Sequence, residues 1–270
     1  MRDRNGRLVA EPLLLGASQC RFHLSLVATN PAKNATANDI IIVYLDFETT
    51  GLDALSDEIV EFGAIAAHCG ARFASTVQPL KLPDPEEQTV HGIGADELET
   101  SPGFRIVLAR FAEFLDQLRD NALSESGADS SDFDSQPTLP RVKQQPPNIL
   151  LTGHNLKSFD LPFLANQMLR HDVPLETHLA TWIYADTLAL SKALPPLMQD
   201  GCAKLQCLGR GCATSARQAH RALDDVIVLR DVVEAWAARL GVDAANLLAP
   251  LAFQVDAQET RLRFACLTQS

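Results

Sequence analysis

The hydrophobic pattern changes character at Ile40. From Met1 to Asp39 no period is sustained: there are scattered arginines (Arg2, Arg4, Arg7, Arg21), an apolar patch at Leu13–Leu15, and a stretch of Asn, Ala, Thr and Pro that suits a linker. The run IIIVYLDF from Ile40 is β-branched and almost continuously apolar, which predicts a strand covered on both faces. Asp57 to His68 alternates well enough for a second strand, and Gly70 to Val77 supplies a third after a tight turn. In Phe104 to Leu118, Ile106, Val107, Phe111, Phe114, Leu115 and Leu118 recur at helical spacing. Ile149 to Thr152 returns to strand and Leu161 to Arg170 to helix. Ala219 to Leu240 is the most regular helix, with Leu223, Val226, Ile227, Val233 and Trp236 on one side. Strands followed by alternating helices and strands predict an α/β fold, a mixed β-sheet flanked by helices.

The unpatterned stretches set the organisation. Asn121 to Asn148 is rich in Ser, Asp, Gln and Pro, with too few large apolar residues to offset its ordering entropy, and is expected to be a disordered insertion. The chain then divides into a poorly ordered extension (1–39), a domain (40–240) interrupted at about 121–148, and a tail (241–270) that packs on the core or on a partner. At 270 residues and 46% hydrophobic content it can bury the core of one domain with extensions. No apolar run approaches the roughly 18–20 residues that cross a bilayer, so a soluble protein with no membrane partner is expected.

Three short segments carry chemistry. In Asp46-Phe47-Glu48 the two carboxylates share one face of a strand, about 7 Å apart, and repel unless a positive charge sits between them. The loop Thr49-Thr50-Gly51 follows, so the pair suits a metal seat beside a loop whose backbone can approach a substrate; solvated strand-end acids are the ordinary alternative. Gly153-His154-Asn155 with Phe159-Asp160 follows the strand at Ile149–Thr152, and Asp160 alone could be a helix cap. His220-Arg221-Ala222-Leu223-Asp224-Asp225 opens the long helix. On an ideal helix His220 and Asp225 stand about 140° apart, so they serve one site only if His220 lies in the loop entering it. That loop, Gly209 to Arg217, reads as mobile.

DFETTGL, VHGI, HNLKSFDLPFL and HRALDD, in this order between about Ile40 and Leu240, resemble the DnaQ-like, or DEDDh, family of 3′–5′ exonucleases. The His154–Asp160 interval is one residue longer than in the bacterial proofreading subunit and looks like that of the TREX-type branch; the insertion before Asn148 is also outside the common core. The resemblance implies an RNase H-like fold and four carboxylates, Asp46, Glu48, Asp160 and Asp225, holding two Mg²⁺ or Mn²⁺ ions. Asp225 is chosen over Asp224 by the family's spacing from its histidine. His220 looks like the general base. Main-chain amides from Thr49, Thr50 and Gly51 to Leu52 are expected to hold the terminal nucleotide, with Leu52 against its base. Glu86 and His91 align with positions that contact that nucleotide; a loop acid and a surface histidine are the alternative. Asn155 is a further substrate-side candidate, and both it and His154 also suit a supporting role.

The substrate implied is a nucleic acid with a free 3′ end, DNA preferred, in single-stranded or mismatched form. The alternatives are a 3′–5′ exoribonuclease, a nuclease-like accessory module of a polymerase, and a small-molecule phosphodiesterase. Partners left open are a polymerase and a second copy paired through an edge strand. The net charge of −11 argues against tight non-specific duplex binding, but a cluster built to hold divalent cations is itself acidic. Cys20, Cys69, Cys202, Cys207, Cys212 and Cys266 form no CxxC pair, which suggests reduced thiols in the cytoplasm or nucleus. A zinc site on Cys202, Cys207, Cys212 and His220 is the alternative, at a spacing wider than usual. The N-terminal extension could also be an organelle-targeting segment, although Asp3 and Glu11 are unusual there.

Overall fold

The computed structural model describes residues 24–27, 30–32, 35–36, 39–83, 91–127, 146–194, 201–212 and 221–268. Five strands form one sheet: β1 (Ile40–Thr49), β2 (Ile59–Ala66), β3 (Arg72–Thr76), β4 (Asn148–Gly153) and β5 (Ile183–Asp186), in the order β3-β2-β1-β4-β5. β1 pairs antiparallel with β2 and parallel with β4; β3 and β5 continue those two senses outward. The expected mixed α/β sheet is therefore present. Its central strand is the apolar run at Ile40, buried from Ile41 to Leu45.

Each face of β1 has its own cover. Ile41, Val43, Leu45 and Phe47 point into a core built with α2 (Phe104–Gly127) and α3 (Asp160–Arg170). Phe62 sits at its centre, with ring centroids 4.4 Å from Phe47 and 5.8 Å from Phe111. Ile42 and Tyr44 face the other way, onto α6 (Ala222–Leu240), whose Val226, Val233 and Trp236 are buried against them. Each such side chain contributes about 1.5–3 kcal/mol by leaving water. The remaining helices are α1 (Ala95–Glu99), α4 (Leu188–Ala193), α5 (Leu205–Gly211), α7 (Ala244–Leu248) and α8 (Ala257–Thr268).

Several boundaries move. α2 runs on to Gly127, past the expected end at Leu118 and into the segment read as an insertion; residues 128–145 lie outside the described ones. Ile106, placed on the apolar face from spacing, is 52% exposed, while Phe104 and Leu108 are buried. Gly209 to Gly211 close α5, so the start of the supposed mobile loop is helical; most of that loop lies outside the described residues. Of the extension, Ser25 to Val27 joins the tail: Leu26 bridges Val255, and the Val27 N–H donates to the Gln254 carbonyl. The tail in turn continues the β5 edge, Tyr184 and Phe253 exchanging two 2.9 Å backbone hydrogen bonds.

The reduced-thiol expectation is corrected at one pair: Cys202 and Cys207 are disulfide-bonded, with Cα atoms 5.9 Å apart, while Cys69 and Cys212 are free. The first turn of α5 brings the two sulfurs within bonding geometry despite a five-residue separation. The zinc alternative falls with it, since two of its four ligands are bonded to each other.

Candidate active site

β1 is apolar on both faces as far as Leu45; its α6-facing positions then turn acidic at Asp46 and Glu48. α6 reaches them because of its partner strand. Asp46 pairs with Gly63 of β2, and a Cβ at Gly63 would stand 2.3 Å from the Ala222 carbonyl carbon. Only glycine lets the start of α6 ride that close to the sheet. Asp225, one turn into α6 and buried, thereby joins the pair: Asp46, Glu48 and Asp225 each offer a carboxylate oxygen within 4.8 Å of the others. Asp225, not Asp224, belongs to this cluster.

Asp160 reaches the same strand end from the start of α3. It is the first residue of α3 rather than its cap, is 2% exposed, and accepts the Phe47 N–H at 3.2 Å on Oδ1. Burial raises all three inner carboxyls, and neighbouring carboxylates add to it. Asp46 is pushed well above the usual range by desolvation and then by Asp160, Asp225 and Glu48. Glu48 is raised to about 8, chiefly by burial and by Asp225 and Glu61; Asp160 is raised to about 7 by burial, against its two backbone hydrogen bonds. Carboxyls held this far from their ordinary titration lack a compensating positive charge. The chemistry of the donor set, all oxygen and hard, fits a divalent cation such as Mg²⁺ or Mn²⁺.

Two features of the site went unread in the sequence. Glu61, opposite Glu48 on β2, accepts from Nε and Nη2 of Arg221 (3.1 and 2.7 Å) and from the Ala222 N–H at 2.9 Å. One buried carboxylate thus caps α6 and anchors its entry to the sheet; Gly63 and Glu61 inside a strand pattern were the available signal. Asp186, at the end of β5, accepts backbone N–H groups from Asn155, Lys157 and Leu188 at 2.9–3.0 Å. It fixes the loop between β4 and α3, in which Asn155 takes a left-handed φ of 67°. β5 is four residues long and bears one acid, too little for a periodic signal.

The β1–β2 loop is closed by Thr50 and Glu58: the Thr50 N–H donates to the Glu58 carbonyl at 2.8 Å and Thr50 Oγ1 accepts the Glu58 N–H at 3.0 Å. Thr49 Oγ1 donates to the Gly51 carbonyl at 2.6 Å. Leu52, in the same loop, is 87% exposed. Asn155 and His154 line a groove of about 550 Å³ together with Asp46 and Asp225. His91 does not line it; it is buried, its Nδ1 accepting the Ile93 N–H, so the surface-histidine alternative is corrected. Glu86 and His220 lie outside the described residues. α6 starts at Ala222 with Arg221 as its extended N-cap.

A sheet of this order, flanked by helices, is an RNase H-like fold. Residues 43–129, from β1 through α2, match the exonuclease family RNase_T. Over these residues the chain is similar to that exonuclease family. It is 29% identical over 76% of its length to the PolC-type DNA polymerase III of Thermotoga maritima, and the match spans 12% of that protein. The polymerase III epsilon subunit of Salmonella typhimurium is 28% identical, with 70% of this chain and 68% of the subunit covered. Among solved structures, a zinc-bound complex of E. coli exonuclease I with single-stranded DNA aligns with a TM-score of 0.52 at 19% identity, over 74% of this chain and 41% of that one. Cell-death related nuclease 4 aligns at 0.52 and 14% identity, over 75% and 66%. Among the described residues no helix is long and apolar enough to cross a membrane.

Proposed function

We propose that the chain is a metal-dependent 3′–5′ exonuclease that removes nucleotides from single-stranded or mismatched DNA ends. The observation that carries this reading is the convergence of Asp46, Glu48 and Asp225 within 4.8 Å, with Asp160 hydrogen-bonded to the Phe47 N–H between the two β1 acids. Asp46, Glu48, Asp160 and Asp225 are the residues that would hold two Mg²⁺ or Mn²⁺ ions. When bound, such ions supply positive charge that favours attack by water at phosphorus and departure of the 3′ oxygen. His220 takes the proton of the attacking water, a task suited to a group that titrates near neutral pH. The Thr49–Leu52 backbone and the exposed Leu52 side chain hold the terminal nucleotide, and Asn155, held by Asp186, borders it.

DNA is preferred because the sequence relatives include polymerase III chains and an epsilon subunit, which also makes a polymerase the natural partner of this domain. The fold itself does not separate DNA from RNA: the exonuclease bound to a histone mRNA stem-loop aligns at a TM-score of 0.51. An exoribonuclease is therefore the second reading. Incubating the chain in Mg²⁺ with matched DNA and RNA oligonucleotides, labelled at either end, tests both. Stepwise loss of mononucleotides from the 3′ end, faster on DNA, supports the proposal; faster loss on RNA moves it to the second reading, and no release sinks both.

A further inference from the structure

The groove beside the carboxylates has a second wall. Besides Asp46, Asp225, His154 and Asn155 it is lined by Leu188 and by the stretch Cys202, Ala203, Lys204, Leu205 and Gln206. Two fastenings hold that stretch. The Cys202–Cys207 disulfide ties it to the buried side of α5. His154 ties it to the end of β4: Nε2 lies 2.8 Å from the Ala203 carbonyl and Nδ1 2.9 Å from Thr187 Oγ1. A carbonyl only accepts, so Nε2 carries a proton. The Thr187 hydroxyl lies 2.9 Å from Nδ1 and 3.2 Å from the Gly153 carbonyl, and its single proton serves both acceptors. The histidine of the Gly153-His154-Asn155 segment thus bridges the end of β4 and the Cys202–Gln206 stretch.

Among the described residues Lys204 is the lysine or arginine of this lining, in a chain of net charge −11. A polyanion whose terminal phosphodiester lies at Asp46 and Asp225 must run through the groove between the two walls. Its neighbouring phosphates need a positive partner on the wall that carries no acids. We propose that Cys202–Gln206 is the strand-holding wall, that Lys204 contacts a phosphate on the 5′ side of the terminal nucleotide, and that His154 is the positioning residue that sets the wall.

This rests on the exonuclease reading, and the test separates the two. Full-length wild type, Lys204→Glu, His154→Ala and His154→Gln are compared on two substrates: an oligothymidylate, and the p-nitrophenyl ester of thymidine 5′-monophosphate, which has no upstream phosphate. Binding of fluorescein-labelled oligothymidylate in Ca²⁺ is followed by anisotropy across a salt series. For Lys204→Glu the ratio of oligonucleotide to ester kcat/KM should fall about tenfold, through KM, and the slope of log K against log salt should shrink by about 0.7. His154→Ala should lower the same ratio. His154→Gln, whose amide can still donate to Ala203, should recover most of it. An unchanged ratio and slope in Lys204→Glu, or equal losses on both substrates, overturns the wall. Equal failure of both His154 variants overturns the positioning role. A wild type that hydrolyses neither substrate overturns the exonuclease reading, and the anisotropy series still decides whether the wall holds a strand.

Discussion

The two faces of β1 part company at a single residue. Ile41, Val43, Leu45 and Phe47 remain apolar to the strand end and bury into the aromatic core under α2 and α3. Ile42 and Tyr44 do the same under α6, but the next two positions on that face are Asp46 and Glu48. The alternation that builds the core therefore also delivers two carboxylates side by side at the mouth of the sheet, with Phe47 clamped between them from behind. One face is optimised by packing; the other gives up packing for charge that protonation or a bound cation would relieve. Substitutions on the two faces should fail in different ways.

The largest effect is expected on the acidic face. Asp46→Ala or Asp225→Ala should lower metal-dependent turnover by about 10³-fold or more, because metal charge stabilisation is worth several kcal/mol. The apo melting temperature should hold or rise slightly, since a repelling carboxylate is gone. Retention of more than about a tenth of the wild-type rate would remove that residue from the site. His220→Ala should reduce turnover by about 10²–10⁴-fold with metal affinity little changed, and should flatten the rise of rate with pH through the histidine range. A near-wild-type rate in Mg²⁺ contradicts the DEDDh assignment.

The core face should behave oppositely. Phe62→Ala removes the ring between Phe47 and Phe111 and should cost about 3–5 kcal/mol in chemical denaturation, while the folded fraction keeps its specific activity. A smaller effect joins the two faces at Gly63. Gly63→Ala should cost about 1–3 kcal/mol by forcing α6 off the sheet, and activity should fall further than stability alone explains. Activity tracking stability in that variant would show that Gly63 serves packing only.

Much of this was legible in the sequence where signals are local. The apolar run at Ile40, the Asp46–Glu48 pair and the periodic helix carrying Asp225 each announce themselves within a few residues. The same sequence hid what depends on distant pairing. Glu61 and Arg221 stand 160 residues apart, and only the antiparallel register sets Glu61 beside Glu48. Asp186 sits on a strand too short to show a period, and His154 reaches Ala203 across 49 residues. The disulfide was missed because a five-residue separation matches no familiar cysteine motif.

The most direct measurement of the metal seat is the melting temperature of the apo chain from pH 4 to 8, with and without Mn²⁺. Asp46, Asp160 and Glu48 have pKa values raised by folding, Asp160 to about 7 and Glu48 to about 8. Their contribution to stability is full below the unfolded carboxyl range and is lost as pH rises through those folded values. Apo stability should therefore decline across this window, and saturating Mn²⁺ should restore it at pH 8; at about a hundred times Kd the gain is roughly 2.7 kcal/mol. Asp46→Ala should show a shallower decline and little response to the ion. A wild-type melting temperature that is flat in pH and indifferent to Mn²⁺ would contradict a metal seat at the acidic end of β1.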